Sequence, residues 1–373
     1  MQSRNPFKYG VVVTGDDFIN RKEEINLLTK NLLSGQSIIL YSSRRLGKTS
    51  LMRQTMLLLP KNVIPIYIDF FGITSKKILV KKMVNELMLS AYPKITMLKN
   101  MIQKLISKLT IKIVIVRDNI ELEIKSGEDI FLEELSEVFD LSEKIAEKKG
   151  KKMIVMFDEF QDIVELGENN IEKIMRSKFQ HHKNVSYLFA GSKISMMRKL
   201  FANSTQAFYK FGKAVHIGNI PKKEFTSFIK TKFEKTGKKI DIRAIEKILS
   251  FTDGHPYYTQ KLCQQIWYDT SQVVNKDIVT ITIQKIARLE ADFYEQIWNS
   301  LTVTQKRLLI GLANEPRANR YSEGFIKRFD LKTSAHVKRA FDSLEKKRIL
   351  EKGKIIDIFF SEWIKTVYSI TKP

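Results

Sequence analysis

The stretch that most constrains the fold of this chain is residues 37–52, SIILYSSRRLGKTSLM. A short apolar run leads into a polar, basic loop, Gly47-Lys48-Thr49 follows at once, and a helical pattern of apolar residues begins. In this setting, loop N–H groups and a helix N-terminus bind phosphate, with Lys48 on the β- and γ-phosphates and the Thr49 hydroxyl on Mg²⁺. The residues predicted to surround the nucleotide phosphates are Ser43, Arg44, Arg45, Leu46, Gly47, Lys48, Thr49 and Ser50.

One position departs from the full phosphate-binding pattern. Ser42 stands where that pattern has its first glycine. The tripeptide Gly-Lys-Thr alone recurs by chance in many proteins, so a plain helix start after a buried strand is the alternative that the rest of the chain has to exclude.

A second stretch, residues 151–161 (KKMIVMFDEFQ), is typical of a central parallel strand that is covered on both faces. The strand ends in Asp158 and Glu159, at the end where open α/β sheets bind their ligands. Asp158 is predicted to hold Mg²⁺ through water, and Glu159 to accept a proton from an attacking water. An acidic pair that begins a solvated loop is the alternative, which the upstream Gly-Lys-Thr disfavours.

A third apolar strand is predicted at residues 185–190, and Gly191-Ser192-Lys193 follows it. A polar residue at the tip of the strand beside the Asp-Glu strand can sense the γ-phosphate, and Ser192 is the candidate. This assignment depends on the two stronger motifs, because the tripeptide alone indicates only a turn.

At 373 residues the chain is too long for one ordinary core. Alternating strands and helices over residues 1–219 predict an α/β P-loop fold, a parallel sheet with helices on both faces and an inserted hairpin at about 109–126. Helices alone over 220–300 predict an all-helical lid, and three short helices with a basic hairpin over 301–373 predict a winged helix. Pro65 indicates a strand start or a sheet edge, and one long helix is predicted over 278–301.

The formal net charge of +23 and the sequence pI near 9.7 favour polyanionic partners, nucleic acid above all. Residues 301–373 alone contain sixteen Lys and Arg against eight Asp and Glu, a net charge of +8. A winged helix can place its third helix in the major groove of DNA. The residues predicted to contact DNA are Lys338, Arg339, Lys346, Lys347, Arg348, Lys352 and Lys354. The alternative explanation of the charge is a genome biased towards lysine. The alternative role of the winged helix is to contact protein or to cover the nucleotide.

No apolar run approaches the ~18–20 residues that span a membrane. The N-terminal residues lack the pattern of a signal peptide. The single Cys263 cannot form an intramolecular disulfide. We therefore expect a cytoplasmic protein with no membrane partner.

Together these motifs resemble the archaeal-type ATPases of the AAA+ and STAND group, P-loop proteins related to the origin-recognition initiators. The resemblance extends over nearly the whole chain. The segments that carry it, besides the winged helix, are Phe-Ile-Asn-Arg-Lys-Glu-Glu (18–24), Arg-Arg-Leu-Gly-Lys-Thr-Ser-Leu (44–51), Tyr-Ile-Asp-Phe-Phe-Gly-Ile-Thr-Ser (67–75), Phe-Asp-Glu-Phe-Gln (157–161), Ala-Gly-Ser (190–192), Ala-Phe-Tyr-Lys-Phe-Gly-Lys (207–213) and Gly-His-Pro-Tyr-Tyr (254–258).

The resemblance implies ATP and ADP as bound nucleotides and Mg²⁺ as the metal. It implies that Asn20 and Arg21 border the adenine, and that His255 and Pro256 close the nucleotide from the helical lid. The catalytic residues that it implies are Lys48, Glu159 and Ser192, and the metal ligands are Thr49 and Asp158.

Two residues depart from the family pattern. Ser42 replaces the first loop glycine, at some cost in loop conformation. Lys210 stands where the family has arginine, and lysine lacks the planar fork that stabilises a transferring phosphoryl group. Arg198 and Arg176 are the other candidates for that role.

The sequence therefore predicts a Mg²⁺-dependent ATPase that couples its nucleotide state to DNA binding through the winged helix. Hydrolysis is expected to be slow unless a second subunit of a homo-oligomer or DNA supplies positive charge. Two alternatives stay open. One is a switch or scaffold that scarcely hydrolyses ATP and whose winged helix contacts a protein partner. The other is a DNA-binding regulator in which the nucleotide is only structural.

Overall fold

The parallel sheet of this chain lies in one of two compact units, which comprises Gly10–Asn219. The computed structural model describes residues 4–92, 111–116, 119–124, 132–166, 171–270 and 272–368. The second unit combines the chain up to Tyr9 with the chain from Ile220 onwards. The chain therefore passes between the units twice.

Five parallel strands form the sheet of the first unit, in the order β2-β5-β6-β1-β7. A separate antiparallel hairpin, β3-β4, forms a sheet of its own. The strands are β1 (Ile38–Tyr41), β2 (Val63–Asp69), β3 (Ile111–Val116), β4 (Asn119–Ile124), β5 (Lys152–Asp158), β6 (Val185–Gly191) and β7 (Lys213–His216).

Helices cover both faces of this sheet, as predicted. Alternate residues of β5 lie in two different apolar clusters, with Phe157 in the one that includes α3 to α6 and Met156 in the one that includes α1 and α2. The helices are α1 (Lys22–Leu33), α2 (Lys48–Leu57), α3 (Lys76–Ala91), α4 (Leu132–Lys149), α5 (Ile171–Phe179) and α6 (Ile194–Ala202). The described part of this unit also contains two 3-10 helices, Gly15–Asp17 and Phe160–Leu166.

Two predictions of detail are confirmed here. Pro65 lies within β2, which forms one edge of the sheet. Its missing N–H therefore removes no hydrogen bond from a central strand. The predicted hairpin is present, with Ile111 paired to Ile124. The helix predicted near 97–109 and the turn residues Arg117 and Asp118 lie outside the described residues.

The second unit is almost wholly helical. It contains two small sheets, β8-β9 and β10-β11. Its helices are α7 (Lys222–Glu234), α8 (Ile242–Thr252), α9 (Pro256–Asp269), α10 (Lys276–Leu289), α11 (Ala291–Asn299), α12 (Val303–Asn314), α13 (Glu323–Arg328), α14 (Ser334–Lys346) and α15 (Ile358–Val367), and its strands are β8 (Lys239–Ile240), β9 (Val273–Val274), β10 (Leu350–Glu351) and β11 (Lys354–Ile355). Helices α12 to α14 and the β10-β11 wing form the predicted winged helix.

The prediction of a single helix over 278–301 is wrong, because the helix is interrupted at Glu290, between α10 and α11. Glu290 has φ of −102° and ψ of 10°. Its carboxylate forms an ion pair with Lys261 and accepts a hydrogen bond from the Tyr294 hydroxyl. The apolar spacing continues across the break, from Ile286 to Tyr294 and Trp298, and no glycine or proline marks it. The sequence pattern therefore gives no signal for this break.

The aromatic core of the first unit gives a test of the fold. Phe157 is fully buried against five other aromatic rings, so Phe157→Ala is expected to lower the free energy of unfolding by about 3–5 kcal/mol. Phe71→Ala is the matched control, because Phe71 is 71% exposed and its truncation is expected to change stability by less than about 0.5 kcal/mol. Urea unfolding followed by far-UV circular dichroism measures both, and equal effects would contradict this packing.

Candidate functional site

The phosphate-binding loop that the sequence predicts joins β1 to α2. Gly47 is the N-cap of α2 and has φ of +83°, a left-handed conformation that glycine adopts without strain. The first N–H groups of α2 have no acceptor within the helix, so this helix end can bind an anion. The positive φ values of the loop fall at Arg45 and Gly47, so the backbone at Ser42 does not require glycine. The buried Ser42 hydroxyl donates a hydrogen bond to the Ser43 carbonyl oxygen at 3.1 Å.

The first residue of α2, Lys48, meets two carboxylates at the end of β5. Its Nζ lies 2.8 Å from Glu159 Oε1 and 3.2 Å from Asp158 Oδ1. Lys48 is 6% exposed and Asp158 is 2% exposed. Charges this deeply buried are stable only when they are paired, so the lysine and the acidic pair depend on one another.

Two hydroxyl groups share the other oxygen of Asp158. Thr49 Oγ1 donates to Asp158 Oδ2 at 2.5 Å, and the Tyr67 hydroxyl donates to the same oxygen at 3.0 Å. Burial and the nearby Asp158 charge raise the pKa of Tyr67, so its hydroxyl stays protonated and acts as a donor. The sequence prediction did not include Tyr67, because only the strand order places β2 beside β5.

The carboxylate of Glu159 is held by three donors. Besides Lys48, the Ser192 hydroxyl donates to Glu159 Oε2 at 2.7 Å and Gln161 Nε2 donates to the same oxygen at 2.6 Å. Glu159 has φ of +48°, a conformation that is unfavourable for a residue with a Cβ and that these contacts help to offset. Gln161 is fully buried and was also not predicted, although it belongs to the Phe-Asp-Glu-Phe-Gln segment.

These contacts set the acidity of Glu159. Burial alone would raise the pKa of Glu159, but the charge of Lys48 and the hydrogen bonds from Lys48, Ser192 and Gln161 outweigh it and lower the pKa to about 2. In this state the carboxylate is a weak base.

The residues expected to bind Mg²⁺ are compatible with that ion. Thr49 and Asp158 bring a hydroxyl and a carboxylate oxygen within 2.5 Å of each other, and magnesium prefers oxygen ligands and few of them from protein. Within the described ranges, no group of three or more His, Cys, Asp or Glu could hold a metal. A metal here would therefore take its remaining ligands from water and nucleotide phosphate.

The residues expected near the adenine belong to both units of the chain. Asn20 is exposed, whereas Arg21 is 3% exposed and donates from Nη2 to the Leu46 carbonyl oxygen at 3.0 Å. His255 and Pro256 belong to the second unit, where they are the N-cap and the first residue of α9.

The basic residues considered as stabilisers of a transferring phosphoryl group belong to the first unit. Lys210 and Arg198 are exposed, and Lys210 has φ of +52° in a turn. The guanidinium of Arg176 lies 4.4 Å from the Phe211 ring centroid and donates to Gln180. Two lysines contact the acidic cluster formed by Asp158, Glu159 and Asp162. Lys48 is paired with the first two carboxylates, and Lys193 Nζ lies 3.0 Å from Asp162 Oδ1.

The basic residues predicted to contact DNA are exposed. They lie on the winged helix as follows: Lys338, Arg339 and Lys346 on α14, Lys347 and Arg348 after it, and Lys352 and Lys354 on the wing. None of the described helices combines the length and the apolar character that a membrane span needs.

A parallel sheet with a phosphate loop and an Asp-Glu pair at its carboxyl edge defines a P-loop nucleoside triphosphatase fold. Residues 18–262 match the family described as an ATPase domain predominantly from Archaea, and residues 292–366 match a probable winged helix domain. The chain belongs to this archaeal ATPase family, which confirms the resemblance in its motifs.

Solved structures share the fold over nearly the whole chain. A Walker-type ATPase of Pyrococcus abyssi superposes with a TM-score of 0.62 and 18% identity, over 94% of this chain and 97% of that one. The ORC2 protein of Aeropyrum pernix, solved as ADPNP and ADP complexes, gives 0.54 and 11% over 93% of each chain. At these identities the likeness concerns the fold. A comparison with curated protein sequences gave no match.

The low pKa of Glu159 predicts an acid-sensitive contribution to stability. Its ordinary pKa is 4.5 and its folded pKa is about 2, so the contribution is present above pH 4.5 and is lost as pH falls towards 2. We expect the stability difference between wild type and Glu159→Gln to shrink by about 1–2 kcal/mol between about pH 6 and pH 3.

Urea unfolding at the two pH values measures this difference. Glu133→Gln, an exposed acid on α4, is the control and should give a small difference at both. A Glu159→Gln effect that is the same at both pH values would contradict the charged contact.

Proposed function

We propose that this protein binds ATP with Mg²⁺ and hydrolyses it to ADP and phosphate. The observation that carries the proposal is the hydrogen-bonded cluster at the carboxyl edge of the sheet, in which Lys48 contacts Glu159 at 2.8 Å and Ser192 contacts the same carboxylate at 2.7 Å. A phosphate-binding lysine, a sensor hydroxyl and a base are the groups that water attack on a γ-phosphate requires.

The phosphates would replace one carboxylate partner of Lys48. The N–H groups at the start of α2 would bind phosphate oxygens, and the Lys48 ammonium would move from Glu159 to the β- and γ-phosphates. Thr49 and Asp158 would hold Mg²⁺, which neutralises phosphate charge when bound. Tyr67 would keep its hydrogen bond to Asp158 and fix the orientation of that carboxylate.

This exchange of partners would turn Glu159 into a better base. Once Lys48 contacts phosphate, the main interaction that lowers the pKa of Glu159 weakens, and burial then acts to raise it. Gln161 would still hold Oε2, so the freed Oε1 can accept a proton from water. Ser192 would turn from Glu159 to the γ-phosphate.

The two lysines at the acidic cluster support a slow basal rate. An ammonium lacks the planar fork with which arginine stabilises a transferring phosphoryl group, a contribution worth about 10³–10⁵ in rate. We propose that a second subunit, a protein partner or DNA supplies the missing charge.

We also propose that the winged helix binds DNA and couples it to the nucleotide state. The support is electrostatic: seven exposed Lys and Arg lie on or near α14 and the wing. Basic side chains in this arrangement contact phosphates and the major groove.

The nucleotide site can be tested with two variants. Lys48→Ala is expected to weaken ADP binding by about 100-fold or more, because it removes the phosphate-binding charge. Glu159→Gln is expected to retain ATP within a few-fold and to lower turnover by about 10²–10⁴-fold.

Calorimetric titration and a phosphate-release assay measure binding and turnover separately, with Glu133→Gln as the matched acid-to-amide control. A hydrolysis rate that Glu159→Gln leaves untouched would refute its role as the base. Tight ADP binding with no turnover in wild type would favour a nucleotide switch.

The DNA interface can be tested by charge reversal. Changing Lys338, Arg339 and Lys347 to Glu is expected to weaken DNA binding at least about tenfold and to reduce its salt dependence. The control is a reversal with the same composition elsewhere on the second unit, at the exposed residues Lys222, Arg243 and Lys276. Fluorescence anisotropy with a labelled duplex at several salt concentrations measures both, and equal losses would show that only net charge matters.

A further inference from the structure

Arg21, immediately before α1, is a buried arginine whose guanidinium contacts backbone. It is 3% exposed, and its Nη1 donates to Glu24 Oε1 at 2.9 Å. Its Nη2 donates to two carbonyl oxygens, that of Leu46 at 3.0 Å and that of Gly218 at 2.8 Å. One nitrogen atom therefore joins two segments that are far apart in sequence.

The two carbonyl groups belong to functionally different segments. Leu46 lies in the phosphate loop directly before Gly47, the N-cap of α2. Gly218 lies at the end of the sheet unit, next to Asn219, its last residue. Hydrogen bonds from a charged donor are strong, and losing the one to the buried Leu46 carbonyl group would leave a buried acceptor unpaired.

The chain that leaves Gly218 is fixed again directly after it enters the second unit. Ile220 N donates to the Gly254 carbonyl oxygen at 3.0 Å. Gly254 has φ of +68°, and a Cβ there would lie 2.4 Å from the Ile220 carbonyl oxygen. Gly254 precedes His255, the N-cap of α9, so this pairing holds the turn at which α9 begins.

We propose that Arg21 is a positioning residue that couples the phosphate loop to the 218–220 segment and, through Ile220, to the turn at Gly254. The inference rests on the proposed nucleotide site. When the loop closes on phosphate, the Leu46 carbonyl group shifts. Because the guanidinium is planar and rigid, the shift is transmitted to the Gly218 carbonyl group. Arg21 thus acts through backbone rather than on the adenine.

Amide hydrogen exchange on the full chain, with and without ADP and Mg²⁺, tests this coupling. In wild type, ADP is expected to slow exchange about tenfold in residues 44–52 and also in residues 214–222. In Arg21→Lys, residues 44–52 should still respond and residues 214–222 should not, because an ammonium on a flexible stem does not hold the two carbonyl groups in the fixed plane that the guanidinium imposes. Glu24→Gln removes the negative charge of the third partner of Arg21 but neither carbonyl contact, and it should behave as wild type.

ADP affinity separates this role from an adenine contact. Arg21→Lys is expected to keep its ADP affinity within about threefold, since the side chain does not touch the nucleotide. An affinity loss of about tenfold with the response of 214–222 retained would overturn the proposal.

Gly254→Ala gives a second test that leaves Arg21 intact. Its Cβ would displace Ile220, so residues 214–219 should still respond to ADP while residues 253–258 lose their response. Wild-type protection of 44–52 without any change in 214–222 would refute the coupling and leave the nucleotide site standing. No protection of 44–52 in wild type would refute both.

Discussion

The ammonium group of Lys48, held between Asp158 and Glu159, is the interaction on which the site depends. It brings the first turn of α2 to the end of β5, although β6 lies between β1 and β5 in the sheet. Neither the lysine nor the acidic pair would be stable alone at this depth, because a buried charge without a partner is costly. The same contact places the loop, the carboxylates and Ser192 within one hydrogen-bonded cluster.

Under the proposed function, the same contact would give the cluster two arrangements, one with Lys48 on Glu159 and one with Lys48 on phosphate. With Lys48, Ser192 and Gln161 bonded to it, Glu159 has its pKa lowered to about 2 despite burial, so the carboxylate is a poor base. A phosphate that attracts Lys48 would release the carboxylate from its strongest partner. Gln161 and Tyr67 also donate hydrogen bonds to the acidic pair. Under the proposed function they would keep the carboxylates oriented while Lys48 and Ser192 change partners.

Much of the fold followed from local patterns. The apolar runs at 153–157 and 185–190, which end in polar residues, identify parallel strands because both faces of such strands are covered. Pro65 indicated an edge strand because proline cannot donate to a central ladder. The break at Glu290 gave no such signal, since the apolar spacing runs through it. The side chain of Glu290 contacts Lys261 and Tyr294 there.

The sequence by itself determined the chemistry available to the site: a phosphate loop, an Asp-Glu pair and a polar strand tip, each readable from a few adjacent residues. The tertiary structure decided how those groups are joined. Tyr67 reaches Asp158 because β2 pairs with β5, and Arg21 reaches Leu46 and Gly218 across 25 and 197 residues of chain. Contacts of that kind depend on strand order and packing, which local periodicity does not encode.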